Sequence, residues 1–365
     1  MDAPAGHCVC GSPLFARYDL GAVAEEAKRG GFPTDVNSMW RYAQLLPVKS
    51  PSFVATLGEG WTPLIQTGRL GKHLGLKMLM VKDETQNPTS SFKDRGLCVA
   101  VSKHLELGSK AFALPSAGNA GISVSAYCAA AGVPAHVFMP SDSPPQFFRL
   151  CELYGANTYS VDGNISDCAK KMRETAGEWT DLSTTKEPYR VEGKKTILFE
   201  IAENLNWAFP DSIICPTGGG TAVIGIWKAA EELMGTGLVN DRPPKLYAIQ
   251  SQLCAPVVSA LEQDREDVEA WPNPETSALG LRVPKPFAGR LILRAIRQSR
   301  GSALAVSEEE ISEMQKTATK MEGVEVGPES AAGFAGLRRL VEDGRVSDDE
   351  QVVVLNTGPA SRYWS

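Results

Sequence analysis

The stretch "SIICPTGGGTAVIGIWKAAEEL" (212–233) sets an apolar β-rich run, three consecutive glycines and a run with apolar residues at helical spacing one after another. Strand, tight turn and helix form the repeating unit of a parallel sheet covered by helices. From about residue 76 the chain keeps that alternation. Strands are expected at 77–81, 111–115, 135–140, 157–161, 212–216, 245–250 and 351–356. Helices are expected at 91–107, 119–132, 145–155 and 196–207, the last with Ile197, Ile201, Ala202 and Leu205 on one stripe. The polar stretch 178–196 and "DRPPK" (241–245) read as loops or linkers. The first of them follows strand–helix units able to form a small sheet of their own. The fold class is α/β, with two open twisted sheets covered by helices. The first 55 residues read as an extension packed on the main body.

The 365 residues are 43% hydrophobic, enough for two domains of ordinary size. Lys+Arg 37 against Asp+Glu 43 gives a net charge of −6 without long like-charge blocks. That balance carries no electrostatic footprint for nucleic acid or an anionic membrane. No run approaches the roughly 18 apolar residues of a membrane span, and "MDAPAGHCVCG" (1–11) lacks a basic region followed by an apolar one. The expected partner is a small molecule and the expected location the cytoplasm. Eight cysteines are dispersed, and Cys98, Cys128, Cys151 and Cys215 lie in apolar segments where free thiols behave as small hydrophobes. "HCVCG" (7–11) is short of a tetrahedral ligand set, so no metal is expected.

Four segments share one setting, the end of a strand where a helix or turn begins. Ligands bind there in open α/β sheets, because helix N-termini present free N–H groups. "PTGGGTAVIG" (216–225) offers Gly218, Gly219 and Gly220 for close backbone approach and Thr221 as a hydroxyl, a cradle for phosphate. It matches neither nucleotide fingerprint, and the alternative is a flexible turn. "PSAGNAGIS" (115–123) offers Ser116, Gly118 and Asn119 to an anionic or phenolic oxygen, or else caps a helix. "ETQNPTSSFKDRG" (84–96) holds Lys93 at a junction with uncharged "NPTSSF" before it; a desolvated lysine is a nucleophile suited to a Schiff base, and the alternative is a solvated lysine. Asp94 and Arg95 are expected to fix the junction. "LNTGP" (355–359) puts Thr357 where its hydroxyl meets a ring nitrogen or closes the turn. "GPESAAGFAGLRRL" (327–340) starts a helix that lines the same site or is plain core.

In this order, "SFKDRG", "SAGNAG", "PTGGGTAVIG" and "LNTG" resemble the fold-type II (tryptophan-synthase β-like) enzymes that use pyridoxal 5'-phosphate. "CVCG", "MWRYAQLLPV", "LGEGWTPL", "KDETQNPTSSFKDRG" and "EGKKT" are similar to segments of the threonine synthase subfamily. The resemblance implies that Lys93 binds the cofactor covalently and then serves as base for the α-proton. It implies Asn119 on the ring hydroxyl, Gly218, Gly219, Gly220 and Thr221 on the phosphate, and Thr357 at the ring nitrogen. Ser116, Ala117 and Gly118 would receive the substrate carboxylate. In "STTKEPYR" (183–190), Thr185, Glu187 and Arg190 would stand at the substrate phosphate, with Lys186, Lys194 or Arg190 offsetting the Glu187 charge. The implied division is an extension at 1–55, a large cofactor-binding domain at 56–98 and 190–365, and a small domain at 99–189, in a homodimer. The implied reaction releases phosphate from O-phosphohomoserine and adds water to give threonine. The alternatives are another elimination or replacement on a small amino acid, such as serine or threonine dehydration, and a catalytically silent ligand-binding paralogue.

Overall fold

The computed structural model describes residues 6–175 and 177–363; the first five residues, part of the segment read above for a signal sequence, lie outside them. Ten strands form two sheets: β1 Leu64–Gln66, β2 Met78–Asp83, β3 Phe112–Pro115, β4 Ala135–Pro140, β5 Asn157–Val161, β6 Thr180–Asp181, β7 Ser212–Pro216, β8 Lys245–Ser251, β9 Ser302–Val306 and β10 Gln351–Asn356. The larger sheet runs β1-β2-β10-β7-β8-β9 and the smaller β5-β4-β3-β6. Every pairing is parallel except β1 with β2.

Parallel strands joined by helices are buried on both faces, and the alternation of side chains shows which helices cover which face. In the larger sheet Ile213, Cys215, Leu246, Ala248, Val353 and Leu355 face a core built with helices Tyr189–Asn204, Thr221–Thr236 and Gly289–Gln298. Ile214, Tyr247, Ile249, Val352 and Val354 face the opposite core, with helices Glu308–Glu322 and Pro328–Glu342. In the smaller sheet Phe112, Leu114, Val137 and Met139 pack on helices Lys93–Glu106, Asn119–Ala131 and Pro145–Leu153. Ala113 and Phe138 meet Cys168 and Met172 of helix Ile165–Glu174.

All seven strands expected from sequence are present within two residues at either end. The three that were not expected, β1, β6 and β9, all lie at sheet edges. Residues 178–196 are not loop throughout: helix Tyr189–Asn204 begins inside them. Their polarity reflects buried pairing rather than solvation, since Lys195 bonds Glu192 at 2.9 Å with both side chains fully enclosed.

The extension holds helix Leu20–Gly30 and the 3-10 turn Met39–Leu45. Polar contacts fasten it to helix Tyr189–Asn204: Tyr18 donates to Glu192 at 2.9 Å, and Arg41 and Tyr42 reach Glu203 at 2.6 Å each. Among the described residues no helix is long and apolar enough to cross a membrane.

Candidate active site

Strands β2, β10 and β7 are neighbours, so the turns at their carboxyl ends meet, and the turn after β3 of the smaller sheet faces them. These turns line one cavity of about 630 Å³, in which Lys93, Ser116, Ala117, Gly118, Asn119, Arg190, Gly218, Gly219, Gly220, Thr221 and Thr357 are brought together. Thr185 and Glu187 are not part of its lining; Ser183, Thr184 and Lys186 take that stretch's place.

Lys93 is the first residue of helix Lys93–Glu106, its backbone N–H donating to Ser91 Oγ at 3.2 Å. Its amine lies 4.0 Å from the centre of the Phe92 ring. Burial pulls that amine down to about 7, Arg190 adds to the effect, and Glu329 opposes it. The two residues behind it hold the junction. Asp94 accepts from Thr89 N, Thr89 Oγ1 and Ser123 Oγ at 2.6, 2.5 and 2.6 Å. Arg95 grips Glu84 through Nε and Nη2 at 2.6 and 2.7 Å, and Glu200 through Nη1 and Nη2 at 2.5 and 2.7 Å. Asp94 and Arg95 are thus not paired with each other. Each ties the lysine's helix to a different part of the chain.

The glycine turn passes where side chains would not fit. A Cβ on Gly218 would lie 2.2 Å from Gly280 O, and one on Gly220 2.2 Å from Ile292 Cδ1, with Gly220 at φ +76°. Helix Thr221–Thr236 starts directly after it, and its first-turn N–H groups have no helical acceptor and point their dipole at the cavity. The result is a backbone cradle for an anion.

In the turn after β3, Ser116 Oγ accepts from Gly118 N at 3.1 Å and Gly121 N at 2.8 Å, so its hydroxyl shapes the turn. Asn119 opens helix Asn119–Ala131, and its buried Oδ1 finds no donor among the described residues. Thr357 receives two ties: its N–H donates to Ser330 Oγ at 2.8 Å, and its carbonyl accepts from Phe92 N at 3.1 Å. The latter bond joins the end of β10 to the residue before Lys93.

Arg190 lines the cavity while its Nη1 donates to Leu182 O at 2.8 Å. Glu187 turns away to cap the helix that carries Arg190: its carboxylate accepts from Tyr189 N at 2.7 Å and Arg190 N at 3.0 Å. Burial pushes that carboxyl up to about 7 against the pull of Arg190. The expected repulsion between Glu187 and a bound dianion therefore has no place in the cavity. Thr185, at φ +61°, donates its hydroxyl to Thr184 O at 2.7 Å.

Sequence reading missed Tyr363 and the residues of one loop. Arg282, Lys285 and Phe287 line the cavity from the loop after the 3-10 turn Leu279–Leu281. Glu329, in the segment 327–340 expected to line the site or to be plain core, lines the cavity and accepts from Gly280 N at 2.7 Å and Tyr363 Oη at 2.5 Å, holding the turn at Gly280 and the C-terminal turn against the site. Nothing local marks Tyr363; the Pro-rich "VPKPF" (283–287) was the available signal for the loop. Counting ionisable lining residues, Lys93, Arg173, Lys186, Arg190, Arg282 and Lys285 outnumber Asp267 and Glu329. The cavity favours anionic ligands.

Residues 55–358 match the family model described as pyridoxal-phosphate dependent enzyme. The chain is 38% identical over 354 residues to threonine synthase of Methanocaldococcus jannaschii, covering 96% of this chain and 87% of that one. It is 38% identical over 352 residues to threonine synthase of Methanosarcina acetivorans, covering 96% and 85%. Among solved structures, maize serine racemase superposes with a TM-score of 0.71 at 22% identity, over 82% of this chain and 88% of that one, a likeness of fold.

Proposed function

The chain belongs to the pyridoxal-phosphate-dependent enzyme family, and from that footing we propose that it is a threonine-synthase-like lyase acting on O-phosphohomoserine. The observation that carries the reading is the meeting of Lys93, the glycine cradle and Arg190 in one cavity with an excess of cationic groups. A substrate with both a carboxylate and a phosphate is the kind of small amino acid such a lining selects.

The residues present fit the cofactor. The cradle at Gly218, Gly219, Gly220 and Thr221 is closed to any side chain and open to an anion, and the orphaned Asn119 Oδ1 suits a ring hydroxyl. Thr357 is the group for the ring nitrogen, and Lys93 the amine for the aldehyde. Pyridoxal phosphate supplies an electron sink for the pair released at the α-carbon. Lys93, its amine drawn down to about 7 by burial, is neutral in a large share of molecules near pH 7 and then has the free pair needed to take the α-proton. The turn at Ser116, Ala117 and Gly118, shaped by the Ser116 hydroxyl, is the position for the substrate carboxylate. Arg190, with Lys186, holds the substrate phosphate as it leaves. Glu329, bonded by Gly280 N and Tyr363 Oη, fixes the turn that leads into the loop carrying Arg282. Its Arg282 reaches Asp142 of the smaller-sheet side at 2.9 Å.

The same reading takes 56–98 with 190–365 as the large domain and 99–189 as the small one, supported by the two sheets, with helix Lys93–Glu106 crossing the boundary and packing on the smaller sheet. A homodimer in the cytoplasm completes it, to be checked by sedimentation velocity. The deciding experiment supplies O-phosphohomoserine to the cofactor-loaded protein and measures inorganic phosphate and threonine. Equimolar formation of both is expected. No phosphate, with a 2-oxoacid and ammonia formed from serine or threonine, would replace the reading with a dehydratase.

A further inference from the structure

Lys194 is a buried amine without a partner. Its residue is 1% exposed, and no hydrogen-bond acceptor reaches Nζ among the described residues. A buried, unsatisfied polar group costs stability, so its presence calls for a physical reason. Its surroundings supply one. Helices Lys93–Glu106 and Tyr189–Asn204 cross at glycines: a Cβ on Gly193 would lie 1.8 Å from Arg95 O, and one on Gly96 2.7 Å from Arg190 O. That close crossing brings three cationic side chains, Lys93, Arg190 and Lys194, to one place. The Lys194 and Lys93 amines lie 4.2 and 4.0 Å from the centre of the same Phe92 ring. Phe92 itself lines the cavity beside the glycine cradle.

The charges that reach Lys194 leave it uncompensated. Lys93, Arg190 and Arg95 repel a proton there, and burial, the largest effect, holds the amine well below its usual range. Glu84 is committed to Arg95, and Asp94 to Thr89 and Ser123. Helix Thr221–Thr236 meets the base of the Lys194 side chain through uncharged Gly225. The anion cradle at Gly218–Thr221 opens into the same cavity as Phe92, and the helix that starts from it meets Lys194 one turn on, at Gly225.

We propose that Lys194 is the counter-charge of the phosphate group seated in that cradle, taking up one proton from solvent as the phosphate arrives. No ligand bond breaks; the proton moves from bulk water to Nζ, and the two opposite charges then stabilise each other across Phe92. Lys194 is a positioning residue, acting through the field rather than by contact. The inference rests on the proposed reading of the cradle as a phosphate site.

The test is calorimetry on the full-length chain freed of cofactor, titrated with inorganic phosphate near neutral pH in two buffers of different ionisation enthalpy. Wild type is expected to take up more protons on binding than Lys194→Met, which should also bind phosphate on the order of tenfold more weakly. Lys194→Arg, charged at all times, should keep the affinity and lose the uptake. Unliganded Lys194→Met should unfold at or above the wild-type temperature, because it loses an unsatisfied amine. Proton uptake and affinity unchanged in Lys194→Met would overturn the proposal while leaving the cradle intact. Wild type that binds neither phosphate nor pyridoxal phosphate would overturn the cradle reading and this inference together.

Discussion

Arg95 and Glu200 meet fork to fork, Nη1 to Oε1 at 2.5 Å and Nη2 to Oε2 at 2.7 Å, with both side chains wholly buried. The pair joins the helix that begins with Lys93 to the long helix that carries Arg190 and Lys194. Lys82 adds a second cation to Glu200 at 2.7 Å, and Glu84 a second carboxylate to Arg95. Two positive and two negative charges thus balance in one enclosed cluster. Removing one member strands its partner without water.

Glu200→Ala should therefore cost about 3–5 kcal/mol of folding stability, read by urea denaturation. Replacing both Arg95 and Glu200 by apolar residues of similar volume should cost less than the single change. Equal or smaller loss for the single variant would show that water reaches the cluster.

The cluster also sets an acid limit. Burial works against the ionised Glu200, but Arg95 and Lys82 outweigh it and hold the carboxyl at about 2, below the 4.5 of an unperturbed group. A carboxyl depressed in the folded state binds fewer protons there than in the unfolded chain, so its stabilisation is present above pH 4.5 and lost between there and about pH 2. The unfolding temperature of the wild type should fall through that window, and fall less in Glu200→Gln.

Lys93 has a dependence of the same sign in a higher window. Its folded amine sits near 7 against 10.5 unperturbed, so between those values the unfolded chain binds more protons and stability rises with pH. Lys93→Met should remove that rise. It should also abolish covalent capture of pyridoxal phosphate, followed by absorbance and by borohydride trapping. In wild type the capture rate should climb between about pH 6 and pH 8, where the neutral amine forms; a climb delayed to about pH 10 would mean a solvated lysine.

Gly218→Ala places a methyl group 2.2 Å from Gly280 O. The 3-10 turn Leu279–Leu281 must move away, and with it the contact between Gly280 and Glu329. Affinity for pyridoxal phosphate should fall by at least about tenfold, with a stability loss of about 1–3 kcal/mol from overpacking. Fluorescence titration of the purified variant reads the affinity directly.

Glu187→Asn is expected to lower stability by about 1 kcal/mol, as for other lost helix caps, without improving turnover of O-phosphohomoserine. The carboxylate faces Tyr189 N and Arg190 N, not the cavity. A gain in kcat/KM on the phosphorylated substrate would show that Glu187 repels the leaving group after all.

The sequence by itself determined the elements buried on both faces and the turns that follow them. Strands such as β7 and β10 are short apolar runs whose burial needs no knowledge of neighbours, and a triple glycine before a helical run specifies its backbone locally. Asn119, Gly218–Gly220, Thr221 and Thr357 could be picked out because each follows such a strand closely, and Lys93 because it opens the helix that follows β2. Tertiary structure alone decided the edge strands, whose identity comes from the partner they pair with. It alone turned Glu187 from a cavity carboxylate into a cap, and brought Arg282 and Tyr363 to the site from segments that sequence reading did not single out. The reason is that burial and charge pairing depend on three-dimensional neighbours: Lys195 finds Glu192 and Glu232, Arg95 finds Glu84 and Glu200, and Lys194, in the same helix, meets the Phe92 ring and no carboxylate among the described residues.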